Sequence, residues 1–102
     1  MKRAVMWSRD ALDDLKQQLG YVSADDPDAA RKIVAKLRLT GEQLAEFATG
    51  HPGRVSGTYE KSVSRLPYII AYALTEHQGR EVIAILRVIH TSRSWEAESW
   101  PS

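Results

Sequence analysis

The chain has 102 residues, of which 43% are hydrophobic and 26% charged, and 14 Lys and Arg against 13 Asp and Glu give a net charge of +1. This length predicts one domain over residues 1–102, and the absence of cysteine excludes disulfides, thiolate catalysis and cysteine-ligated zinc. Three histidines make a His-rich metal site unexpected, and no apolar run approaches the roughly 18 residues of a membrane span. We therefore expect a soluble cytoplasmic protein with no metal, no cofactor and no membrane partner.

The first quarter of the chain predicts a short strand and then a helix. Residues 3–7 form a brief, largely apolar segment that ends at Ser8, a residue suited to cap a helix N-terminus. Apolar residues then recur at spacings of three and four, which predicts an amphipathic helix over residues 9–24. Its apolar stripe consists of Leu12, Leu15, Leu19 and Val22. The acidic residues Asp10, Asp13 and Asp14 are assigned to the outer, solvated side of this helix.

A second helix is predicted over residues 27–48. Asp26 can cap its start while Pro27 occupies the first turn, where the missing N–H is tolerated. Gly41 predicts a weak point or kink within it. Its apolar stripe consists of Ala30, Ile33, Leu37, Leu44 and Phe47. Because the link between the two helices is short, they should form an antiparallel hairpin.

The second half predicts strands. Residues 58–63 alternate loosely, residues 67–74 are rich in strand formers, and residues 81–90 are apolar on both faces, which is typical of a central strand. Residues 76–80 predict a hairpin turn with Gly79 at positive φ. A polar tail follows over residues 91–102.

The element order β-α-α-β-β-β predicts an α+β fold. The helical hairpin has one apolar side, and a small, mostly antiparallel sheet supplies the surface that buries it. We expect a two-layer domain in which the hairpin packs on one face of the sheet.

Arg87 is the most unusual residue of the predicted central strand, because it interrupts the apolar stretch from Val82 to Ile89. A buried guanidinium needs an acid, a bound anion or the open rim of the sheet. Glu60 on a neighbouring strand is one candidate partner, and a phosphate site is the main alternative. His90 ends the same strand on the opposite face if the strand stays regular, whereas a bulge could bring the two together.

Other candidate contacts lie in the arginine-rich second half, where five of the six basic residues from 51 onward are arginines. Arg54 lies in a glycine-rich loop that a ligand can approach closely, and Tyr59 follows it. Arg93 and Trp95 follow the last strand and could hold a base or a peptide, although Trp95 could instead cover an edge of the core. The strands offer only Glu60 and Glu81 as acids, and nothing marks them as a catalytic pair.

Three segments, HPGRVSGTYE, LPYIIAY and VIAILRVIHTSRSW, resemble the RelE/ParE superfamily of toxins from type II toxin–antitoxin systems. The most specific part is the apolar strand that ends in Arg-Val-Ile-His and is followed by a small residue, Arg and Trp. The resemblance covers essentially the whole chain. It implies a cytoplasmic toxin that arrests bacterial growth until a cognate antitoxin neutralises it, in a complex that could be a heterotetramer or larger.

The resemblance leaves the molecular target open between two branches. RelE-like members cut mRNA on the ribosome without a metal, and Arg87, His90 and Arg65 would be the catalytic residues if this chain did the same. The RelE lysines are missing, however: Ser62 and Ser64 occupy their places, and Arg65 lies one place off. This departure favours the ParE-like branch, whose members inhibit DNA gyrase. A toxin fold that has lost activity and only binds its partner is the third alternative.

The resemblance also implies two sets of binding residues. Antitoxin contacts are expected on the helical hairpin, and contacts to the target in the second half of the chain. The antitoxin set is Leu12, Leu15, Leu19, Ile33 and Leu37. The target set is Arg54, Tyr59, Arg93 and Trp95.

Overall fold

The computed structural model describes residues 3–91, which contain two helices and five strands. The strands form one sheet in the order β1-β5-β4-β3-β2, and both helices pack on one face of it. In chain order the elements are β1 Ala4–Trp7, α1 Arg9–Asp25, α2 Pro27–Gln43, β2 His51–Pro52, β3 Tyr59–Ser62, β4 Tyr68–His77 and β5 Arg80–His90.

The predicted α+β architecture is confirmed. β1 pairs with β5 in parallel, and the other three strand pairs are antiparallel, so the sheet is mostly antiparallel as expected. The sequence did not predict β2, because a two-residue strand has no periodicity to detect. The turn between β4 and β5 has Gln78 and Gly79 at φ values of 53° and 76°, as the predicted hairpin requires.

Both helices start where the sequence predicts. The Ser8 side chain accepts a hydrogen bond from the Ala11 N–H, and Asp26 accepts one from the Ala29 N–H, so each cap satisfies an otherwise unpaired donor. α2 ends at Gln43, five residues before the predicted end at 48. Phe47 consequently lies beyond the helix and is 70% exposed, so its assignment to the apolar stripe was wrong.

Gly41 has a packing role and marks no break, since α2 continues through it to Gln43. A Cβ placed at Gly41 would lie 2.8 Å from the Trp7 ring and 2.9 Å from the Ile85 side chain. Glycine therefore lets α2 approach the β1–β5 pair closely.

The main core lies between the helices and the sheet. β4 and β5 are the central strands and contribute most of its large side chains. Its fully buried members include Leu37, Leu44, Ile70, Tyr72, Ile83, Ile85 and Val88. A smaller cluster on the opposite sheet face contains Ala71 and Ile89, packed against Val55 of the loop before β3.

The two halves of β5 have different neighbours along the edge that faces β1. β1 pairs with β5 from Val82 to Ile85 and then turns into α1. The register with β4 shifts at this point, because Ala71 lies opposite Arg87 whereas Tyr72 lies opposite Ile85. The extra residue, Leu86, marks a bulge. Among residues 3–91 no strand covers this edge beyond the bulge, and α1 runs beside it.

Candidate functional site

Arg87, which the sequence marked as the residue most in need of a partner, forms an ion pair with Asp14 of α1. Its Nε lies 2.8 Å from Asp14 Oδ2 and its Nη2 lies 2.9 Å from Asp14 Oδ1, a two-point contact between guanidinium and carboxylate. The side chains are only 13% and 6% exposed. The hydrogen bonds to Asp14 raise the pKa of Arg87 above its usual value, so this guanidinium stays charged.

Two sequence predictions about this pair were wrong. Glu60 is not the partner of Arg87, because it lies on β3 and binds Arg54 instead. Asp14 is not solvated: its carboxylate also accepts a hydrogen bond of 2.9 Å from the Val88 N–H. The spacing of the leucines did not reveal that Asp14 is buried. The buried residues of α1 are Ala11, Asp14 and Gln18, two of which are polar.

Asp14 is one of three α1-side groups that bind the backbone of β5 at the bulge and beyond it. The Ser8 hydroxyl donates to the Leu86 carbonyl at 2.9 Å, and the Gln18 amide donates to the Val88 carbonyl at 3.0 Å. These polar groups form hydrogen bonds with backbone N–H and C=O groups of β5 that a neighbouring strand would otherwise pair with. We call this set of contacts the α1 seal. It includes the carboxylate that pairs with Arg87.

His90 lies at the end of β5, on a different face from Arg87. The register from Arg87–Ala71 to His90–Tyr68 is unbroken, so the two residues occupy alternating positions, as a regular strand predicts. The His90 ring packs edge-on against Tyr68, with ring centroids 5.3 Å apart. The bulge precedes Arg87 and does not bring Arg87 and His90 together.

Arg65 lies in the turn between β3 and β4. It is exposed and has φ of 64°, a conformation uncommon for a residue other than glycine. The Thr91 N–H donates to the Pro67 carbonyl at 2.9 Å and ties the end of β5 to this turn. The structure therefore places Arg65 and His90 at one end of the sheet, while Arg87 is bound to Asp14.

Arg54 forms a second two-point ion pair, with Glu60. Its Nε and Nη2 lie 2.9 and 3.1 Å from the two carboxylate oxygens, and its backbone N–H donates to Glu60 at 2.8 Å. These hydrogen bonds hold the pKa of Glu60 below its usual range, and the side chains are 32% and 6% exposed. The pair fixes the loop before β3, a role that the sequence did not predict for either residue.

The remaining target-binding candidates are Tyr59, Arg93 and Trp95. Tyr59 is 37% exposed and stacks on Tyr72, with ring centroids 5.6 Å apart. The Tyr72 hydroxyl donates to the Thr49 carbonyl, and burial raises its pKa. Arg93 and Trp95 lie outside the described residues, as does almost all of the predicted tail.

The predicted antitoxin-binding residues differ in accessibility. Leu12 is 43% exposed, whereas Leu37 is 1% exposed and belongs to the main core. The prediction of a surface contact was therefore wrong for Leu37. Leu15 and Ile33 are partly buried against the same core, and Leu19 is half-buried. The apolar period predicts which side of each helix is buried and cannot tell which part of that side remains open to a partner.

A groove that sequence reasoning missed lies where the two helices meet. It encloses about 530 Å³ and is mostly apolar, with arginines at positions 31 and 38 of α2. Its lining residues are Ser23, Pro27, Ala30, Arg31, Val34, Ala35 and Arg38. The spacing of Pro27, Val34 and Arg38 on one helix side was the available signal. We call it the hairpin groove.

Residues 3–91 contain neither a candidate membrane span nor a candidate metal site. No helix there has both the length and the apolar character needed to cross a bilayer. No group of three or more His, Asp or Glu in the same range could hold a metal ion.

Comparison with known proteins places this geometry in a family. A family model described as ParE toxin of type II toxin-antitoxin system, parDE, matches residues 5–95. The chain is 35% identical over 95 residues to Y4kP of Sinorhizobium fredii, whose name describes it as a toxin, covering 92% of this chain and 94% of that protein. It is 29% identical over 90 residues to toxin RelE2 of Caulobacter vibrioides, covering 87% and 96%.

A solved structure shares the fold. It is titled as a chromosomal ParDE TA system from P. aeruginosa, and it superposes with a TM-score of 0.78 at 22% identity, covering 87% of this chain and 96% of that one. Family and fold together support an antitoxin as the partner of this protein. With a family match over residues 5–95 and a toxin relative above 30% identity, the chain belongs to the ParE toxin family of type II toxin–antitoxin systems.

Proposed function

We propose that this protein is a cytoplasmic toxin that arrests bacterial growth by inhibiting DNA gyrase, and that its cognate antitoxin neutralises it at the helical hairpin. The observation that carries the choice of target is the Asp14–Arg87 pair, since the strand arginine that would face phosphate in a nuclease is bound to a carboxylate. The missing RelE lysines, with serine at positions 62 and 64, support the same choice.

The gyrase proposal is tested by expressing the toxin without its antitoxin. We expect growth arrest accompanied by a DNA-damage response, and loss of supercoiling activity when purified toxin is added to gyrase at micromolar concentration. Unchanged supercoiling would reject gyrase as the target. Normal growth on expression of the folded protein would reject toxicity itself and leave a toxin fold that only binds its partner.

A metal-independent, ribosome-dependent endoribonuclease is the second candidate. Arg65 and His90 support it, because they lie at the same end of the sheet and Arg65 is exposed. An Arg could stabilise the charge of a phosphorane while a His acts as acid or base.

The substitutions Arg65→Asn and His90→Gln separate the two candidates. Asn tolerates the positive φ at position 65, so the turn should remain intact. Under the gyrase proposal, Arg65→Asn and His90→Gln keep ribosomal mRNA intact, as in the wild type. Cleaved mRNA in the wild type that disappears in both folded variants would establish the nuclease instead.

The antitoxin is expected to occupy the hairpin groove with an amphipathic segment. The groove combines an apolar floor with Arg31 and Arg38, which suit an acidic rim on the partner. Leu12 extends the available apolar surface of α1.

Val34→Asp tests this site, because it places a charge on the groove floor. We expect antitoxin affinity to fall at least tenfold while growth arrest persists, so that the antitoxin no longer rescues cells. Lys32→Asp is the matched control, since Lys32 is exposed on α2 and does not line the groove. Equal antitoxin affinity for both variants would place the antitoxin elsewhere.

A further inference from the structure

A second concave site lies at the far end of α2. It encloses about 290 Å³ between the end of that helix and β3. Its lining residues are Thr40, Gln43, Leu44, Glu46, Phe47, Thr49 and Lys61. We call it the Lys61 pocket. Within the described residues it shares no lining residue with the hairpin groove.

Lys61 faces the helix side of the sheet. It lies opposite Ile70 in the β3–β4 register, and Ile70 belongs to the core beneath the helices. β2 pairs only with Tyr59 and Glu60, so β3 is itself the edge of the sheet at Lys61. The ion pairs described within residues 3–91 do not include Lys61, which leaves its ammonium available to a ligand.

Phe47 provides an aromatic surface beside this cation. Its side chain is 70% exposed, the second highest value among the exposed large hydrophobic residues described. Its backbone is fixed on both sides: the Phe47 N–H donates to the Gln43 carbonyl at 3.1 Å, and its carbonyl accepts from the Thr49 N–H at 2.8 Å. Thr49 is held in turn by the Tyr72 hydroxyl. The pocket wall is therefore formed before any ligand arrives.

We propose that the Lys61 pocket binds a carboxylate and an adjoining apolar side chain from an acidic segment of a protein partner. The lysine ammonium would pair with the carboxylate, and the Phe47 ring would cover the apolar group. The inference does not depend on gyrase as the target, since it concerns binding to the purified chain.

The charge of the pocket favours a monocarboxylate over a nucleotide. Phosphate sites usually combine several cations or a row of backbone N–H groups. Among the lining residues that the structure describes, Lys61 is the single cation, and Glu46 contributes a carboxylate. One ammonium balances the charge of a monocarboxylate, whereas a phosphate dianion beside it keeps an unbalanced negative charge.

The test uses 3-phenylpropionate as the probe, followed by amide chemical shifts of the purified full-length protein. Its neutral analogue 3-phenylpropan-1-ol keeps the ring and removes the charge, and AMP represents the nucleotide alternative. We expect shifts at residues 47, 49 and 61, with the acid binding roughly threefold to tenfold more tightly than the alcohol. AMP should bind more weakly than the acid.

Variants assign the binding to named groups. Lys61→Gln should abolish the preference for the acid, whereas Lys32→Gln, a matched exposed lysine on α2, should leave it unchanged. Glu46→Gln should tighten binding of the acid, and Phe47→Ala should weaken binding of both probes. Unperturbed shifts elsewhere in the spectrum show that each variant is folded.

Three results would overturn the proposal. The first is equal affinity for the acid and the alcohol in the wild type. The second is a preference for the acid that survives Lys61→Gln, and the third is tighter binding of AMP at the same residues. None of these depends on growth arrest or supercoiling, so failure here is distinguishable from failure of the gyrase proposal.

Discussion

Two halves of one edge of β5 are covered in different ways. From Val82 to Ile85 the cover is β1, paired backbone to backbone. Beyond the bulge at Leu86 it is the α1 seal, in which the side chains of Ser8, Asp14 and Gln18 bind the strand. A strand ladder tolerates many side chains because the backbone makes the bonds. A side-chain seal depends on each residue, so the second half of the edge should be far more sensitive to substitution.

Asp14→Ala should have the largest effect. It leaves the Arg87 guanidinium nearly buried without its carboxylate and removes the acceptor for the Val88 N–H. We expect a loss of about 3–5 kcal/mol in the free energy of unfolding, measured by urea denaturation. Asp13→Ala on the exposed side of α1 is the control and should cost at most about 0.5 kcal/mol. Similar losses for the two variants would contradict the α1 seal.

A substitution of Glu60 tests whether every buried ion pair is equally important for stability, or whether the pair in the α1 seal is more important than others. Its partner Arg54 is six residues away, whereas Asp14 and Arg87 are 73 apart. Because Gln keeps a neutral acceptor facing Arg54, whereas Asp14→Ala removes the whole carboxylate, Glu60→Gln should cost less, about 1.5 kcal/mol at pH 7, the value for one hydrogen bond to a charged group.

The Arg54–Glu60 pair also predicts that the free energy of unfolding depends on pH. Hydrogen bonds from Arg54 lower the folded-state pKa of Glu60 below its ordinary 4.5. The stabilisation is present at neutral pH and is lost as the pH falls below about 4.5 through the folded-state pKa. The stability difference between wild type and Glu60→Gln should narrow in acid when unfolding is measured from pH 7 to pH 3. A difference that does not change with pH would show that the charge of Glu60 adds nothing.

Ser8→Ala should have an intermediate effect. It removes the cap of the Ala11 N–H and the donor to the Leu86 carbonyl. We expect a loss of about 1 kcal/mol, visible in thermal unfolding. Ser8→Asp retains the cap but cannot donate to Leu86, so its stability should lie between those of wild type and Ser8→Ala. Equal stability of Ser8→Asp and Ser8→Ala would show that the cap contributes little.

Met6→Val should have the smallest effect. Met6 lies in β1 opposite Ala84 and is 43% exposed, and Val suits a strand. We expect a change within about 0.5 kcal/mol by urea denaturation, since the backbone covers this half of the edge. A loss of stability as large as that of Ser8→Ala would show that the two halves of the β5 edge are equally sensitive to substitution.

The sequence predicted the fold well because most elements carry a periodic signal. The ends of α1, the start of α2 and the turn at Gly79 followed from caps and φ preferences that act locally. The shorter α2 and the strand β2 were missed because tertiary packing decides them. The residues after Gln43 turn away from the helix axis toward β2, and β2 exists only through its pairing with β3.

The candidate site was predicted less completely. Arg87 was recognised as a residue that needs a partner, but nothing in the sequence linked it to Asp14 on a helix 73 residues away. The sequence named Glu60 as the candidate acid and assigned Asp14 to the solvated side of α1, whereas in the structure Glu60 binds Arg54 of the loop before β3. The spacing of Pro27, Val34 and Arg38 shows that they share a helix side, but the hairpin groove and the Lys61 pocket also depend on which parts of α2 stay uncovered, which periodicity does not show.

The α1 seal also constrains how the toxin is made. β1 and α1 are synthesised before β5, yet β1 pairs with β5, and within residues 3–91 Asp14 and Gln18 bind β5, the last strand described. In a nascent chain β1 has no strand to pair with, and Asp14 and Gln18 have no β5 backbone to bind, until residue 90 has been synthesised. Any message cut or terminated before that point yields a chain with Asp14 and the β1 edge unpaired, and such a chain cannot form the folded toxin.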